Sequence, residues 1–334
     1  EDAVTTHPSL VSAVARHVIE AGGEPFIGDS PPLGSFKKIV TKTGMQKIAD
    51  EQDLEITEFL KSSGLPRMPH HIFKRLEIAK EAQDADVIIN LPKLKTHSLT
   101  RLTLSVKNIF GCVVGKRKAQ WHLNAGTDDM FFARMLVELY EEIKPDLTIL
   151  DGIVSMEGNG PAGGTPRPTD VIVSGTDCVA IDTVVCNVLG KKWDYLFTNR
   201  AAKEKEIGET DLRKIEVSGD SLERVQVSGF VFPKSFELGR VGAFLKKHVQ
   251  SGFTQKPVED VLKCTLCGSC ISICPASVIK KKERRLHFDY PGCIRCFCCH
   301  EVCPENAMMI KNGTGLTLLS RFSTSPKTGN IKHR

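Results

Sequence analysis

Cys264-Thr265-Leu266-Cys267-Gly268-Ser269-Cys270-Ile271-Ser272-Ile273-Cys274-Pro275 and Cys293-Ile294-Arg295-Cys296-Phe297-Cys298-Cys299-His300-Glu301-Val302-Cys303-Pro304 are two copies of one pattern, C-x-x-C-x-x-C-x-x-x-C-P. Nine of the chain's 12 cysteines lie in these runs, leaving a long, cysteine-poor body, which is not the distribution of a disulfide scaffold. Iron–sulfur clusters need soft thiolate ligands. Two x-x gaps let one tight loop wrap three corners of a cube, and the fourth ligand arrives from elsewhere. Zinc also uses paired C-x-x-C motifs, but a zinc site takes four ligands. Two complete four-cysteine runs, each closed by Cys-Pro, fit zinc poorly. The spacing predicts two [4Fe-4S] clusters. Cys298 is surplus and reads as a small thiol, buried or exposed, rather than a rescue ligand or redox group.

From about Pro257 to Lys311 the sequence resembles bacterial two-cluster ferredoxins. In such proteins the fourth cysteine of each run ligates the other cluster. The resemblance implies Cys264, Cys267, Cys270 and Cys303 around one cluster, and Cys293, Cys296, Cys299 and Cys274 around the other. Gly268 lies where backbone passes close to sulfur, and Ala276 and Ala307 follow the Cys-Pro turns as small residues. Ser277 to Lys280 and Leu286 to Phe288 read as hairpin strands around a charged turn. The expectation is a small α+β ferredoxin-like domain over 257–312, with a tail over 313–334.

Upstream, residues 1–225 alternate helix and strand. Leu10, Val11, Val14, Val18 and Ile19 make one helical face, closed by Gly22-Gly23. Asp86 to Leu91 is a nearly continuous apolar run, as in a buried parallel strand. Met130, Phe131, Met135, Leu136, Leu139 and Ile143 line a helix, Leu147 to Leu150 reads as a strand ending at Asp151-Gly152, and Val171–Val173 and Val179–Leu189 repeat strand then helix. This alternation predicts an α/β, layered, mostly parallel sheet domain. Residues 226–256 read as a connector with an extended segment (Val227 to Phe232) and a helix-like stretch (Phe236 to His248).

Ligands of open α/β sheets bind beyond the carboxyl ends of strands. Three such ends carry chemistry: Gly28-Asp29-Ser30-Pro31, Asn90 to His97, and Asp151-Gly152 leading to Glu157. Between Asp86 and Asp128 there is no acidic residue, while Lys93, Lys95, Arg101, Lys107, Lys116, Arg117 and Lys118 are accompanied by His97 and His122. Such a run is often a solvated face, but Lys93 and Lys95 directly follow a buried strand, which favours a site for a carboxylate, a phosphate or an acidic partner. The expected catalytic residues are Lys95, His97, Asp151 and Glu157; the expected cofactor-binding residues are Lys93, Lys107 and Asn108. Asp29, Asp177 and Asp182 are further acids, each more often a cap or ion-pair partner than a catalyst. Cys112, Cys178 and Cys186 lie on apolar segments and read as buried thiols.

Several activities lack a foothold. Gly158 to Gly163 formally matches G-x-G-x-x-G, but Pro161, Pro166 and Pro168 prevent a helix from opening there to receive a pyrophosphate. There is no G-K-[ST] phosphate loop and no G-x-S-x-G elbow. Nucleic-acid binding is not expected, since few aromatics interleave the basic segment. No run of about 18 apolar residues occurs, so no membrane span is expected. Free thiolates and oxygen-sensitive clusters point to a reducing, cytoplasmic setting.

Thr6-His7-Pro8, Gly28-Asp29-Ser30-Pro31, Pro92 to His97, Val106-Lys107-Asn108-Ile109-Phe110-Gly111, Leu150 to Ile153, Glu157 to Pro161 and Val179-Ala180-Ile181-Asp182 together resemble the domain of unknown function 362 family, often fused to a ferredoxin domain. The resemblance implies the architecture and the clusters, and assigns no reaction. Three functions fit: electron relay to an anionic small molecule held in the α/β domain; an electron-transfer adaptor for an acidic redox partner, an electron donor or acceptor protein; or a non-redox anion-processing enzyme with structural clusters. Whether the chain is itself an enzyme, such as an oxidoreductase, is open at this point.

Overall fold

The computed structural model describes residues 3–30, 35–66, 68–73, 76–115, 117–118, 121, 125, 128–233, 256–274, 276–293, 295 and 297–311. Pro31, Lys116, His122, the stretch Phe236 to His248, Pro275, Cys296 and the tail 313–334 lie outside them.

Helix α1 (Pro8–Glu20) starts where the His7 side chain accepts the Ser9 N–H, with Pro8 in the first turn, where its missing N–H costs nothing. It stops at Gly22, whose φ of 85° is the left-handed geometry of a helix end. Strand β1 (Phe26–Asp29) follows and pairs in parallel with β2 (Glu55–Glu58), joined to it through helices α2 (Phe36–Lys42) and α3 (Met45–Gln52). Next come a small antiparallel pair, β3 (Ser62–Gly64) and β4 (Glu77–Ala79), and the short helix α4 (Lys80–Asp84).

The central sheet is built on one long strand, β8 (Leu147–Glu157). Along one edge run β5 (Ile89–Asn90) and then β6 (Lys93–His97), both parallel to β8. The other edge is β9 (Thr165–Gly175), antiparallel to β8, and β7 (Arg101–Thr103) adds antiparallel to β6. The parallel expectation thus holds for β5 and β6 against β8. It fails for β7 and β9, because each follows its neighbour through a short turn and a hairpin is necessarily antiparallel.

Two further expectations are corrected here. Asp86 to Leu91 contributes only Ile89–Asn90 as strand, and the basic stretch Lys93–His97, expected beyond a strand end, is itself a strand. Asp151 is not terminal either: β8 continues past it to Glu157 through a register shift between Gly152 and Val154. Gly152 permits this, since a Cβ there would lie 2.9 Å from the Val171 carbonyl oxygen.

Two apolar cores flank this sheet region. Helix α6 (Asp129–Ile143), capped by Asp128 accepting the Phe131 N–H, buries Phe132, Met135, Leu136 and Leu139 against Ile109, Phe110 and Ala79. Helix α7 (Cys178–Val188) buries Ile181, Val184, Val185 and Val188 against Leu94, Leu102, Leu150 and Val171. Each such side chain contributes about 1.5–3 kcal/mol on burial. Val227, Phe230 and Phe232, read from sequence as connector, pack into this second core. Helix α8 (Phe197–Lys205) packs against α6.

The C-terminal part has two antiparallel pairs: β10 (Lys256–Glu259) with β13 (Met308–Lys311), and β11 (Ile279–Lys282) with β12 (Arg285–Phe288). Helices α9 (Ser269–Ile273) and α10 (Cys298–Glu301) pack between them, and the cysteines contribute to the core. Among the described residues, no helix is long and apolar enough to cross a membrane.

Candidate functional site

The cysteines converge. Cys264, Cys267, Cys270 and Cys303 line one small cavity, closed by Leu286, Ala307 and Met308. The loop turns tightly at Leu266 (φ 56°) and Gly268 (φ 85°), which folds three thiols around one point. Cys303 joins them from the second run, 33 residues beyond Cys270. Burial pushes the Cys270 thiol up to about 11, helped by the neighbouring Cys264, Cys267 and Cys303. Thiols so crowded suit a cation that holds them as thiolates. The Ala307 N–H donates to Cys303 Sγ at 3.2 Å, the kind of contact that tunes a cluster's potential. Cys274, Cys293 and Cys299 pack in the same core, and buried Cys298 fills space beside them.

In the α/β domain a cleft of about 1130 Å³ opens between α1, β1 and the β5–β6 edge. Lys93, Lys95 and Asn108 line it, with Asp29 and Asn90. Asp151 lies behind Lys93: its Oδ2 accepts from Lys93 Nζ at 2.7 Å and from the His7 N–H at 2.8 Å. Lys95 Nζ donates to the Val4 carbonyl, and Thr6 Oγ1 to that of Leu91, so residues 4–7 lie across the sheet edge. Asn108 Nδ2 donates to Asn90 Oδ1 at 2.8 Å.

Other expected residues are elsewhere. His97 is buried, and its Nδ1 accepts the N–H groups of Leu99 and Thr100, organising the β6–β7 turn. Glu157 pairs with Arg167 and accepts the Val231 N–H, outside the residues lining the cleft. Lys107 sits over the Phe110 ring at 4.7 Å. The basic segment is therefore not unopposed. Lys93 meets Asp151, Arg117 meets Glu77, Arg101 is buried over Tyr195 and Phe197, and Lys118 reaches the Ser30 carbonyl. The acids come from distant positions that a local charge count does not see.

Asp177 caps α7 through the N–H groups of Val179 and Ala180. Asp182 is fully buried, which pushes its carboxyl up to about 7 although it accepts the N–H groups of Ser105 and Val106 at the start of helix α5 (Ser105–Asn108). Burial raises the thiols of Cys112 and Cys178 to about 12, and that of Cys186 further; Cys178 and Cys186 are inert core groups, whereas Cys112, expected to be buried, is only partly so and lines the cleft.

One residue was not singled out from sequence. His300, next to Cys299, is 2% exposed and turns Nδ1 to the Met308 carbonyl; its Nε2 is buried without a hydrogen-bonding partner among the described residues. Its Cε1 would meet a Cβ on Gly163 at 3.3 Å. Gly163 belongs to the β8–β9 turn, and in that same turn the Gly160 N–H donates to Thr96 Oγ1 at 3.2 Å. The second cysteine run therefore touches the α/β domain at Gly163, in the turn whose Gly160 meets Thr96, the neighbour of cleft-lining Lys95. A histidine inside a cysteine run gave no signal of this in the sequence.

Comparison with known proteins bears on both halves. The profile of Domain of unknown function (DUF362) matches residues 1–187, and that of a 4Fe-4S dicluster domain matches residues 256–304. The thylakoid-associated protein sll1697 of Synechocystis sp. is 39% identical over 263 residues, covering 76% of this chain and 80% of its own. The pyruvate synthase subunit PorD of Methanothermobacter marburgensis is 37% identical over 70 residues, 21% of this chain and 83% of its own. The fold and site thus define an iron–sulfur protein of the 4Fe-4S type. The chain belongs to the DUF362 family, with a ferredoxin-type domain at its C-terminal side.

Proposed function

We propose that this protein relays single electrons through two [4Fe-4S] clusters toward the cleft of its α/β domain, where an anionic small molecule is held. Cys264, Cys267, Cys270 and Cys303 hold one cluster; Cys293, Cys296, Cys299 and Cys274 hold the other. The clusters supply one-electron chemistry when bound. Lys95 and Asn108 face the ligand, while Asp151 fixes Lys93 in place; His97 and Glu157 keep structural roles. The division that goes with this reading is an α/β domain over 1–225, a connector over 226–256 and a ferredoxin-type domain over 257–312.

The observation that carries the proposal is the contact of His300 with the Gly163 turn. It joins the second cysteine run to the strand that bears Lys95. A ferredoxin-like segment similar to a pyruvate synthase subunit fits exchange of electrons with a donor or acceptor protein, in a reducing compartment such as the cytoplasm.

A second reading, an electron-transfer adaptor without its own chemistry, draws support from the internal pairing of the basic segment, which leaves little charge to focus a substrate. Anaerobic mixing of reduced, cluster-loaded protein with panels of small carboxylates and phosphates separates the two. Reoxidation by one compound in the wild type, lost in Lys95→Glu, is the expected result. Reoxidation by acceptor proteins alone supports the adaptor.

A further inference from the structure

Far from the cysteine runs in sequence, the dipeptide His70-His71 meets the C-terminal turn of α6. His70 Nε2 lies 2.8 and 2.9 Å from the two carboxylate oxygens of Glu141. His71 Nε2 lies 3.0 Å from Glu141 Oε2 and 3.6 Å from Glu142 Oε1. One ligand atom each from His70, His71 and Glu141 falls within 4.8 Å of the others. The two rings meet edge to face at 5.0 Å, so that both Nε2 atoms address one carboxylate.

These separations are close to those that a metal ion imposes. With bonds of about 2.0–2.1 Å to nitrogen and oxygen, a tetrahedral zinc site has ligand–ligand edges of about 3.3 Å. The observed N···O distances run from 2.8 to 3.6 Å; those of 2.8 to 3.0 Å are hydrogen-bond lengths, which an ion seated between the groups would open by about 0.3–0.5 Å. The site is also partly desolvated: the His71 side chain is 1% exposed and that of Glu142 9%, while His70 at 49% leaves an entry from solvent.

Its position is fixed by a further carboxylate. Glu138, one turn earlier on α6 and fully buried, accepts the N–H groups of Ile72 at 2.8 Å and Phe73 at 3.1 Å. It is itself held by Lys205 at 2.6 Å. Phe73 then packs edge-on to Phe131 at 5.0 Å. The segment carrying both histidines is thus clamped to the helix carrying both glutamates before any ion arrives, which is the preorganisation a ligand set requires.

We propose that His70, His71, Glu141 and Glu142 form a binding site for a divalent transition metal of the zinc type, separate from the iron–sulfur clusters. Two imidazoles and two carboxylates are a borderline N/O donor set, suited to Zn²⁺ and unlike the all-thiolate sets of the C-terminal domain. The site needs no electron and no substrate, so it stands apart from the relay proposed above.

The test uses the full chain with its clusters intact, equilibrated anaerobically with Zn²⁺ and washed. Metal content and the zinc X-ray absorption edge are then measured. The expected result is one zinc per chain, with nitrogen and oxygen at about 2.0–2.1 Å and no sulfur at about 2.3 Å. His70→Ala and Glu141→Gln should each weaken zinc binding by at least about 100-fold, the upper end of what loss of a second-shell partner costs. Iron content should stay unchanged. His70 is half-exposed, so that variant tests the site without opening the core. Absence of stoichiometric zinc, sulfur coordination, or wild-type affinity in a folded His70→Ala variant overturns the proposal.

Discussion

Lys93 Nζ and Asp151 Oδ2 lie 2.7 Å apart, with side-chain exposures of 5% and 0%. The pair joins parallel neighbours in the central sheet, with Lys93 lining the cleft and Asp151 behind it. Both charges are removed from water, so each depends on the other. Asp151→Asn is expected to destabilise the α/β domain by about 3–5 kcal/mol, as when one partner of a buried pair is lost. A double change to Lys93→Met with Asp151→Leu should recover much of that loss. Both tryptophans, Trp121 and Trp193, lie in this domain, so fluorescence-detected urea unfolding reads it selectively.

Asp182 gives the domain a pH signature. Burial raises its carboxyl from 3.8 in the unfolded chain to about 7 in the fold, so the native state binds the proton more tightly. The stability this contributes is present in full below about pH 4 and is lost as pH rises through about 7. The stability difference between wild type and Asp182→Asn should therefore shift against the wild type across that window and be flat above it. A difference independent of pH would contradict the assignment.

Gly160 offers a steric test of the turn that meets the second cysteine run. A Cβ there would lie 2.1 Å from the Thr96 carbonyl oxygen, which is backbone and does not yield cheaply. Gly160→Ala should cost about 1–3 kcal/mol, the usual penalty of overpacking. Gly158→Ala, with no atom within 4 Å of its Cβ, meets only the strain of its φ of 77° and should cost less. Urea midpoints of the two variants measured side by side decide this.

What the sequence disclosed follows from how local each signal is. The cysteine runs were legible because ligand spacing within a loop is set by neighbours, and the α6 and α7 helices because their apolar periodicity is local. The Lys93–Asp151 pair spans 58 residues, and the acids that neutralise the basic segment come from as far as Glu77 and Asp151, so counting nearby charges overstated its field. Asp151 reads as a strand end in the sequence; in the fold Gly152 lets Val171 approach, and β8 runs on to Glu157. His300 and His70-His71 carried no pattern at all, since their partners are brought by packing.

The cysteine pairing across runs makes a separable prediction. Cys303→Ala removes the fourth thiol from the set with Cys264, Cys267 and Cys270, although it belongs to the second run. Iron should fall from about eight to about four atoms per chain, with the remaining cluster showing the signal of the Cys293 set. If each run served its own cluster, the Cys293 set would be the one lost.

The most direct measurement is an anaerobic reductive titration of the reconstituted protein followed by electron paramagnetic resonance, with iron and sulfide quantified on the same sample. About eight irons and eight sulfides per chain, and two reduced centres whose signals interact, is the predicted result. Bound zinc in place of iron, fewer than about four irons, or clusters that stay silent under strong reductant would contradict electron relay as this protein's function.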